Sequence, residues 1–522
     1  MRHYRQIPAL SRNTHPALAA ALGLHDYPSG FPLARSLKRH IHFHLGPTNS
    51  GKTHEALVVL QRAKSGVYLA PLRLLAMEIR DRLMDAGVPC NLVTGEERQL
   101  IPGARHTACT VEMMRPDMEV DVAIIDEIQM LQDESRGYAW TAALIGAPAK
   151  HVYVCGSDAV TAPCIRAVES MNESYDIARL ERKTPLVLES ESLSGARYSR
   201  WKLKKHIQKG DAVIAFSRKD VLTLSARIRQ WGFGVASIYG ALSPEVRRTE
   251  ARRFNSGEAE VLVATDAIGM GLNLPIRRVV FSATHKFDGV APRDLNATEV
   301  RQIAGRAGRY GIYPVGYVNA FEDDELRHLD HMLTTSDTAE MTRLPITPNL
   351  FHMQKLSNTR HSNRLGELLA YFNEQVGIDS EIFETATLGM HVGQGHLIDE
   401  YAPALSLKHK FIFSCAPVSL DKAHERDYFL ACLKSFAEER RRALPLAPEW
   451  LTSTSPRHLE DAENLSKDLS LYAWLSFKFP QIFHQGEHVP EMRGRVSRYI
   501  ERALLTQAGF GDTAKELLYG YR

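Results

Sequence analysis

Near its N-terminus, this 522-residue chain contains the segment Gly46-Pro47-Thr48-Asn49-Ser50-Gly51-Lys52-Thr53. It follows a short apolar run at 41–45 and opens a helical pattern at 52–63, which is the context of a phosphate-binding loop. Glycines let backbone N–H groups converge on phosphate, and the helix N-terminus adds partial positive charge. Lys52 is suited to nucleotide oxygens and the Thr53 hydroxyl to Mg²⁺. An ordinary turn between a strand and a helix does not need lysine followed by threonine, so the sequence predicts a nucleotide site.

Strand-length apolar runs alternate with helical patterns on the C-terminal side of this loop. The first set of predicted strands is 41–45, 67–70, 91–94, 120–126, 152–155 and 186–188. The pattern then begins again, with predicted strands at 212–217, 235–239, 261–266, 279–283 and 315–320. Apolar strands separated by helices are typical of parallel sheets, so we expect two α/β domains of similar size.

The remainder of the chain has a different pattern. After about Glu322 the strand-like runs fade, and amphipathic helical stretches follow at 363–376, 422–442, 462–477 and 494–508. The expected fold class is α/β, with two tandem parallel-sheet domains followed by a mainly helical C-terminal domain. The predicted boundaries are an N-terminal extension at 1–40, a first α/β domain at 41–190, a second at 191–325 and the helical domain at 326–522.

The composition excludes several classes of protein. Hydrophobic residues make up 44% and charged residues 24% of the chain, which is typical of globular protein and excludes dominant disorder. No uninterrupted apolar run reaches the length of about 18 residues that indicates a membrane span. A formal net charge of +3 does not by itself indicate a nucleic-acid partner. The six cysteines show no C-x-x-C pairing, which argues against a zinc site and a disulfide framework and favours a reducing compartment.

Two acids follow an apolar strand of the first domain. Asp126 and Glu127 come directly after 120–125, and the carboxyl ends of strands are where open parallel sheets place ligand-binding residues. Asp126 is suited to hold Mg²⁺, and Glu127 to orient and deprotonate an attacking water. Two acids after a strand are often only a solvated loop, but a phosphate-binding loop in the same domain favours catalysis.

The second domain carries a pair of arginines in the run Gln302-Ile303-Ala304-Gly305-Arg306-Ala307-Gly308-Arg309. Arginine binds phosphate oxygens in pairs and stabilises the charge of a transferred phosphoryl group. We therefore predict that Arg306 and Arg309 reach from the second domain to a nucleotide held by the first. The alternative is a glycine-punctuated surface helix with solvated charges.

Taken together, 46–53, Asp126-Glu127-Ile128-Gln129 and 302–309 resemble motifs I, II and VI of superfamily 2 helicases. The intermediate blocks fit the same series: 71–76 resembles motif Ia, 94–96 motif Ib, 110–112 motif Ic and 264–271 motif V. Within the superfamily, the residues of motifs I and II and of the segment 471–477 are similar to those of the suppressor-of-Var family. This family comprises the RNA helicase of the mitochondrial degradosome and its bacterial relatives. The resemblance runs from about residue 41 to about residue 480.

This resemblance implies RecA-like α/β domains and a role for each matching residue. ATP would be bound by 46–53, Mg²⁺ by Thr53 and Asp126, and the attacking water by Glu127. Gln129 and Gln302 would belong to the γ-phosphate network, and Arg306 and Arg309 would be the arginine fingers that assist catalysis. Contacts to the nucleic-acid backbone would come from the blocks that contain Arg73, Thr94, Thr110 and Thr265.

The resemblance also implies an activity. It is that of an ATP- and Mg²⁺-dependent helicase or translocase that moves 3′ to 5′ on single-stranded or 3′-tailed RNA, with DNA and hybrid duplexes left open. An exoribonuclease is the partner that the family suggests. The alternative is a nucleic-acid-stimulated ATPase that remodels or clamps RNA for a nuclease without processive unwinding. A metabolic phosphate-loop kinase is a third interpretation, but it has no use for the distant arginines.

The N-terminal region bears on the compartment. No long presequence-like region precedes the phosphate-binding loop, so we expect the bacterial branch of the family and a cytoplasmic location, with the mitochondrial matrix as the alternative. Residues 1–40 contain several basic residues and a single acid, Asp26, a bias that also suits a presequence. Whether this segment is cleaved stays open.

Two shorter patterns also stay open. His40, His42 and His44 alternate along the first strand, which places three imidazoles on one face. They either bind a metal or pair with backbone and water. Residues 284–300 form either a β-hairpin around Asp288-Gly289, with Phe287 as a wedge that separates strands, or a simple connecting loop.

Overall fold

The computed structural model describes residues 21–194, 204–240, 242, 244–269, 274–287, 291–335, 341–375, 380–453 and 455–507. Two parallel-sheet units and a largely helical region follow one another along these residues, as the sequence predicted. None of the helices within these ranges is long and apolar enough to cross a bilayer.

The first unit contains an eight-stranded sheet. Its strands are β1 (His40–Leu45), β2 (Gly66–Ala70), β3 (Cys90–Val93), β4 (Arg98–Gln99), β5 (His106–Thr110), β6 (Val120–Ile125), β7 (Ala149–Gly156) and β8 (Ser174–Arg179). They lie in the order β4-β3-β5-β2-β6-β7-β1-β8, and every pair except β3 and β4 is parallel. The helices of this unit are α1 (Pro32–Ser36), α2 (Lys52–Arg62), α3 (Arg73–Asp85), α4 (Gly137–Gly146) and α5 (Thr161–Ser170).

The second unit contains a six-stranded parallel sheet and a small hairpin. Its strands are β9 (Leu186–Leu188), β10 (Asp211–Ile214), β11 (Val235–Ile238), β12 (Val261–Ala264), β13 (Arg278–Phe281), β14 (His285–Phe287), β15 (Pro292–Asp294) and β16 (Gly316–Ala320). The sheet order is β11-β12-β10-β13-β16-β9, and β14 pairs with β15 in an antiparallel hairpin. The helices are α6 (Arg218–Gln230), α7 (Pro244–Asn255), α8 (Ala297–Ala304) and α9 (Asp323–Thr334). The predicted turn Asp288-Gly289 lies outside the described residues, so only the two strands of the hairpin are confirmed.

The predicted strand at 186–188 forms, but its assignment to the first domain was wrong. β9 pairs with β16 at the edge of the second sheet. Its three residues carry no signal that distinguishes one sheet from the other. The boundary between the two units therefore precedes residue 186. We now propose that the two domains divide within 180–185 rather than at 190.

The N-terminal segment is also less separate than predicted. Leu22 and Leu24 are buried in the core of the first unit. The guanidinium of Arg39 is buried and donates to the carbonyl oxygens of Leu144 and Ile145 at the end of α4. The described part of the predicted extension therefore packs as part of the first unit.

The C-terminal region is mainly helical, as predicted. Its helices are α10 (Leu350–Arg360), α11 (Leu365–Gln375), α12 (Gly389–Tyr401), α13 (Leu407–Phe413), α14 (Ala423–Ala437), α15 (Leu459–Lys478) and α16 (Val489–Leu505). The region also contains a two-stranded parallel sheet, formed by β17 (Leu344–Ile346) and β18 (Phe383–Thr385), that was not predicted from the sequence. Three-residue strands are too short to produce a recognisable alternation.

The C-terminal region packs against both α/β units. Met353 and Phe372 share a hydrophobic core with Trp140 of the first unit, whereas Phe429 shares a core with Val280 of the second. Each fully buried side chain of this size stabilises the fold by roughly 1.5–3 kcal/mol. Shared cores therefore fix the helical region to the two units that flank the cleft described next.

Candidate functional site

A cleft of about 470 Å³ lies between the two α/β units. The first unit lines it with 48–53, Asp126 and Glu127, and the second unit lines it with Arg306 and Arg309. Groups that are far apart in sequence therefore face one cavity. This is the juxtaposition that the predicted nucleotide site requires, although the role of each residue stays a prediction.

The phosphate-binding loop connects β1 to α2 through left-handed backbone. Asn49 has φ 65° and Gly51 has φ 95°, a conformation that glycine adopts without steric cost. A Cβ at Gly46 would collide with the carbonyl oxygen of Leu180, so the close approach of that segment also requires glycine. Lys52 begins α2, and its ammonium donates to the carbonyl oxygen of Pro47 at 3.2 Å. The lysine charge therefore lies over the loop whose N–H groups would hold phosphate.

Asp126 is buried at the base of the cleft and is held by uncharged donors. The Tyr68 hydroxyl donates to one carboxylate oxygen at 2.5 Å, and the Thr53 hydroxyl donates to the other at 3.1 Å. Burial, followed by the charge of neighbouring Glu127, raises the pKa of Asp126 to about 6. Thr53 and Asp126 thus present two adjacent oxygen ligands, the kind that Mg²⁺ prefers.

Glu127 lies between its own unit and the second one. The Gln129 amide donates to its carboxylate, and the Gln129 carbonyl oxygen accepts the Ser157 N–H at 3.1 Å. On the opposite side, the guanidinium of Arg306 lies 3.8 Å from Glu127 and also donates to the carbonyl oxygen of Gly269. This carboxylate is therefore oriented from both units, as a base that positions water requires.

Two predicted catalytic residues have different surroundings. Arg309 lines the cleft, and burial lowers the pKa of its guanidinium. Gln302 lies on α8 against Gly269, and it is not among the described residues that line the cleft. Its place in the γ-phosphate network stays a prediction.

The sequence interpretation missed Glu78, which lines the same cleft. Burial raises the pKa of its carboxyl to about 7, while the charges of Arg306, Arg82 and Arg309 oppose that rise. A signal for this residue did exist: Glu78 follows the buried Leu74 by four positions and so lies on the apolar side of α3.

The segment between the two sheets contributes two further residues that the sequence did not reveal. The Arg182 guanidinium donates to the carbonyl oxygens of Thr48 at 2.9 Å and Gly305 at 2.7 Å, which belong to different units. Lys183 lines the cleft, with its ammonium 5.3 Å from the centre of the Tyr310 ring. Because these contacts depend on tertiary structure and follow no motif spacing, a single sequence offered no signal for them.

The four residues predicted to contact nucleic acid lie at the carboxyl ends of strands. Arg73 follows β2, Thr94 follows β3, Thr110 ends β5 and Thr265 follows β12. Thr94 is only 1% exposed and Thr110 is 9% exposed, so neither presents much side chain to solvent. The Arg73 guanidinium pairs with Glu96 at 2.9 Å and Glu97 at 2.8 Å.

Glu96 also links this edge to the helical region. Arg493 of α16 lies 2.9 Å from the Glu96 carboxylate. Further along the same helix, Glu501 accepts from the Tyr239 hydroxyl and lies 3.4 Å from the Arg218 guanidinium, both in the second unit. α16 therefore bridges the two α/β units on the side where nucleic acid was predicted to bind.

Family models match three parts of the chain. They describe the DEXQ-box helicase domain of Suv3 at residues 28–180, a helicase conserved C-terminal domain at 199–311 and the ATP-dependent RNA helicase SUV3 C-terminal domain at 459–506. Among solved structures, the chain is similar to the DNA-bound DUF1998 helicase MrfA, with 16% identity, a TM-score of 0.45 and coverage of 71% of this chain and 58% of that one.

Curated relatives match almost the whole chain. The ATP-dependent RNA helicase SUV3L, mitochondrial, of Oryza sativa subsp. japonica is 36% identical over 96% of this chain and 68% of its own length. The SUV3 protein of the same species is 36% identical over 92% of this chain and 83% of its own. The human ATP-dependent RNA helicase SUPV3L1, mitochondrial, is 32% identical over 96% of this chain and 64% of its own.

The names of these relatives bear on the earlier expectations. All three are mitochondrial proteins of eukaryotes, so they give no support to the expected bacterial branch or cytoplasmic location. The helicase domains, the shared cleft and the extent of the identity agree with one another. The chain belongs to the SUV3 family of superfamily 2 ATP-dependent RNA helicases.

Proposed function

We propose that this protein hydrolyses ATP in the cleft between its two α/β units and uses the resulting movement to translocate 3′ to 5′ on RNA and unwind it. The observation that carries the proposal is the single cavity lined by 48–53, Asp126 and Glu127 from one unit and by Arg306 and Arg309 from the other. Membership of a helicase family supports the same activity.

The proposed chemistry assigns a task to each side chain. Backbone N–H groups of 46–53 and the Lys52 ammonium bind the phosphates. Thr53 and Asp126 hold Mg²⁺, which neutralises phosphate charge when bound. Glu127, oriented by Gln129, positions the attacking water and accepts its proton.

The second unit would complete the site. Arg306 and Arg309 stabilise charge on the transferred phosphoryl group, and Gln302 joins the γ-phosphate network once α8 moves inward. Hydrolysis removes the γ-phosphate that both units bind. The closed arrangement is then no longer stabilised by these contacts, and the cleft reopens. Alternation between these states would move the strand.

The RNA path is proposed along the carboxyl ends of β2, β3, β5 and β12. Arg73, Thr94, Thr110 and Thr265 lie there, and backbone contacts of this kind hold a strand without reading its sequence. α16 bridges the two units at this edge, which supports a channel closed by the helical region. Because such contacts do not require a 2′-hydroxyl, DNA and hybrid duplexes are included as substrates.

Strand displacement tests the proposal. The protein should unwind a 3′-tailed RNA duplex in the presence of ATP and Mg²⁺, but not a blunt duplex or a 5′-tailed one. Glu127→Gln should remove unwinding because it removes the base, whereas Glu134→Gln, at an exposed acid of the same unit, should not. RNA-stimulated hydrolysis without displacement of any tailed duplex would instead support the alternative of an RNA clamp.

Compartment and partner are separate parts of the proposal. The names of the relatives support the mitochondrial matrix. The bacterial branch and the cytoplasm are supported only by the short segment before the phosphate-binding loop. Fractionation of source cells decides between the two. An exoribonuclease partner is proposed on family resemblance, and co-purification of the chain from those cells tests it.

A further inference from the structure

β1 has two different faces. Ile41, Phe43 and Leu45 are buried on one face, whereas His40, His42 and His44 are half-buried on the other. β8 runs parallel to β1 over its whole length and forms one edge of the sheet. Residues that are partners in this register lie side by side on the same face. The position opposite His42 is Asp176.

Three side chains converge at this point. One carboxylate oxygen of Asp176 lies 2.8 Å from His40 Nε2 and 2.7 Å from His42 Nδ1. The three potential ligand atoms all lie within 4.8 Å of one another. Ligands around a tetrahedral Zn²⁺, with bonds of about 2.1 Å, are separated by about 3.4 Å. The Asp176 side chain is 52% exposed and can make this small outward movement.

The outward-facing ring nitrogens are also occupied. His40 Nδ1 lies 2.7 Å from the Ser174 hydroxyl, and His42 Nε2 lies 3.1 Å from His151 Nδ1. A hydroxyl and an imidazole nitrogen can each act as donor or acceptor. Both rings can therefore keep their outer hydrogen bond while the inner nitrogen gives its lone pair to a metal. Histidines that ligate metals are oriented in this way by a partner on the other nitrogen.

We propose that His40, His42 and Asp176 form a binding site for Zn²⁺ or a similar transition-metal cation. Two imidazoles and one carboxylate are a ligand set that Zn²⁺ accepts, with water completing the coordination on the solvent side. Mg²⁺ prefers oxygen ligands alone, so this site differs in chemistry from the Mg²⁺ position proposed at Thr53 and Asp126.

The metal would join two strands that lead to the nucleotide cleft. β1 continues into Gly46, and the chain after β8 is tied to β1 because the Leu180 N–H donates to the Leu45 carbonyl oxygen at 2.8 Å. Arg182 then contacts the loop at Thr48. A cation between β1 and β8 would therefore stabilise the edge strand that carries this connection.

Metal titration of the full-length, tag-free, metal-stripped protein tests the site. In competition with a chromophoric chelator, the chain should bind one Zn²⁺, and excess Mg²⁺ should not displace it. His42→Gln and Asp176→Asn should each weaken binding by at least about 10-fold, because each removes one ligand. His424→Gln is the matched control: His424 also pairs with a carboxylate, Asp468 at 3.0 Å, but has no third ligand within the described ranges.

Two further measurements keep the test independent of folding defects. Co²⁺ bound to the unaltered protein should give the visible absorption of a site with nitrogen and oxygen ligands. Zn²⁺ should raise the thermal midpoint of the unaltered protein and of His424→Gln, but not that of the ligand variants, whose circular dichroism should be unchanged. Failure of the unaltered protein to bind Zn²⁺, or equal binding by folded ligand variants, would overturn the proposal.

Discussion

The nucleotide cleft and the nucleic-acid edge of the first unit use the same kinds of side chain in different ways. In the cleft, Asp126 is held by hydroxyl groups, and Glu127 faces Arg306 across the unit boundary at 3.8 Å. At the edge, by contrast, Arg73 is already paired at short distance with two carboxylates.

The difference concerns what a ligand has to displace. A nucleotide that entered the cleft would meet a buried acid held by hydroxyl groups, and arginines from the other unit. The charge of Mg²⁺ would complement the acid, and the charge of phosphate would complement the arginines. An RNA phosphate reaching Arg73 must instead compete with the carboxylates of Glu96 and Glu97. The buried acid of the cleft is thus held by uncharged donors and its nearest arginine lies 3.8 Å from Glu127, whereas Arg73 at the edge has two carboxylate partners within 2.9 Å.

The largest effect is expected at Arg309. Arg309→Ala should lower RNA-stimulated ATP turnover by about 1,000-fold, because an arginine that stabilises the transferred phosphoryl group contributes on that scale. ATP affinity should change little, since the loop at 46–53 belongs to the other unit. Turnover is measured with saturating RNA and affinity with a fluorescent nucleotide. Arg327→Ala, on the exposed side of α9, is the control, and normal turnover in Arg309→Ala would refute the assigned role.

The second prediction concerns Asp126, where a single substitution should increase stability and abolish activity. Its pKa rises from 3.8 unfolded to about 6 folded, so the folded protein loses stability as pH rises from about 4 to about 6. Asp126→Asn removes this penalty and should raise the free energy of unfolding by up to about 3 kcal/mol above pH 6. The gain should shrink as pH falls below 6, while ATP hydrolysis is lost.

Urea unfolding without nucleotide or Mg²⁺, repeated across this pH range, measures that gain. The amide introduced by Asp126→Asn can keep hydrogen bonds to Thr53 and Tyr68, because both hydroxyls can accept as well as donate. Asp85→Asn, at the exposed end of α3, should show no such pH-dependent gain. An Asp126→Asn protein that is less stable at every pH would contradict the assignment of burial as the cause.

A smaller loss is expected when the two units are uncoupled at Arg182. Its guanidinium joins Thr48 of one unit to Gly305 of the other, and hydrogen bonds from a charged group contribute about 1.5–3 kcal/mol. Arg182→Lys keeps the charge but cannot reach both carbonyl groups in the same geometry. We expect kcat to fall about 10-fold with little change in the KM for ATP. A change in KM alone would show that Arg182 acts on nucleotide binding instead.

The contrast between cleft and edge was only partly predictable from the sequence. The cleft residues 46–53, Asp126 and Glu127 follow strands directly, so local order along the chain identified them. Arg306 and Arg309 were found because two arginines in a glycine-rich run indicate phosphate. The fold class followed from the alternation of apolar runs with helical patterns.

The remainder depends on contacts between distant segments. β9 was assigned to the wrong sheet because three residues cannot indicate their partner. Arg182 was missed because its partners are backbone carbonyl groups, which no residue type reveals. The family resemblance indicates Thr94 as a contact to nucleic acid, but only the structure shows that its side chain is buried.

The smallest effect tests the closed edge itself. Replacing Glu96 and Glu97 together by glutamine should free Arg73, and also Arg493 of α16, from their carboxylate partners and tighten binding of single-stranded RNA by about 3–10-fold. The gain is modest because partly exposed ion pairs contribute only about 0–1 kcal/mol each. If Arg73 then binds a phosphate, the slope of log affinity against log salt should become steeper by about one.

RNA affinity measured across a salt series distinguishes this from a general charge effect. Asp117→Asn removes an exposed acid that pairs with Arg115 elsewhere in the first unit, so it should leave the slope unchanged. Adding Arg73→Ala to the double variant should make the slope shallower again by about one, since the phosphate contact of Arg73 is then gone. If the double variant binds RNA as the unaltered protein does, Arg73 does not contact RNA, and the edge is a purely structural link between the first unit and α16.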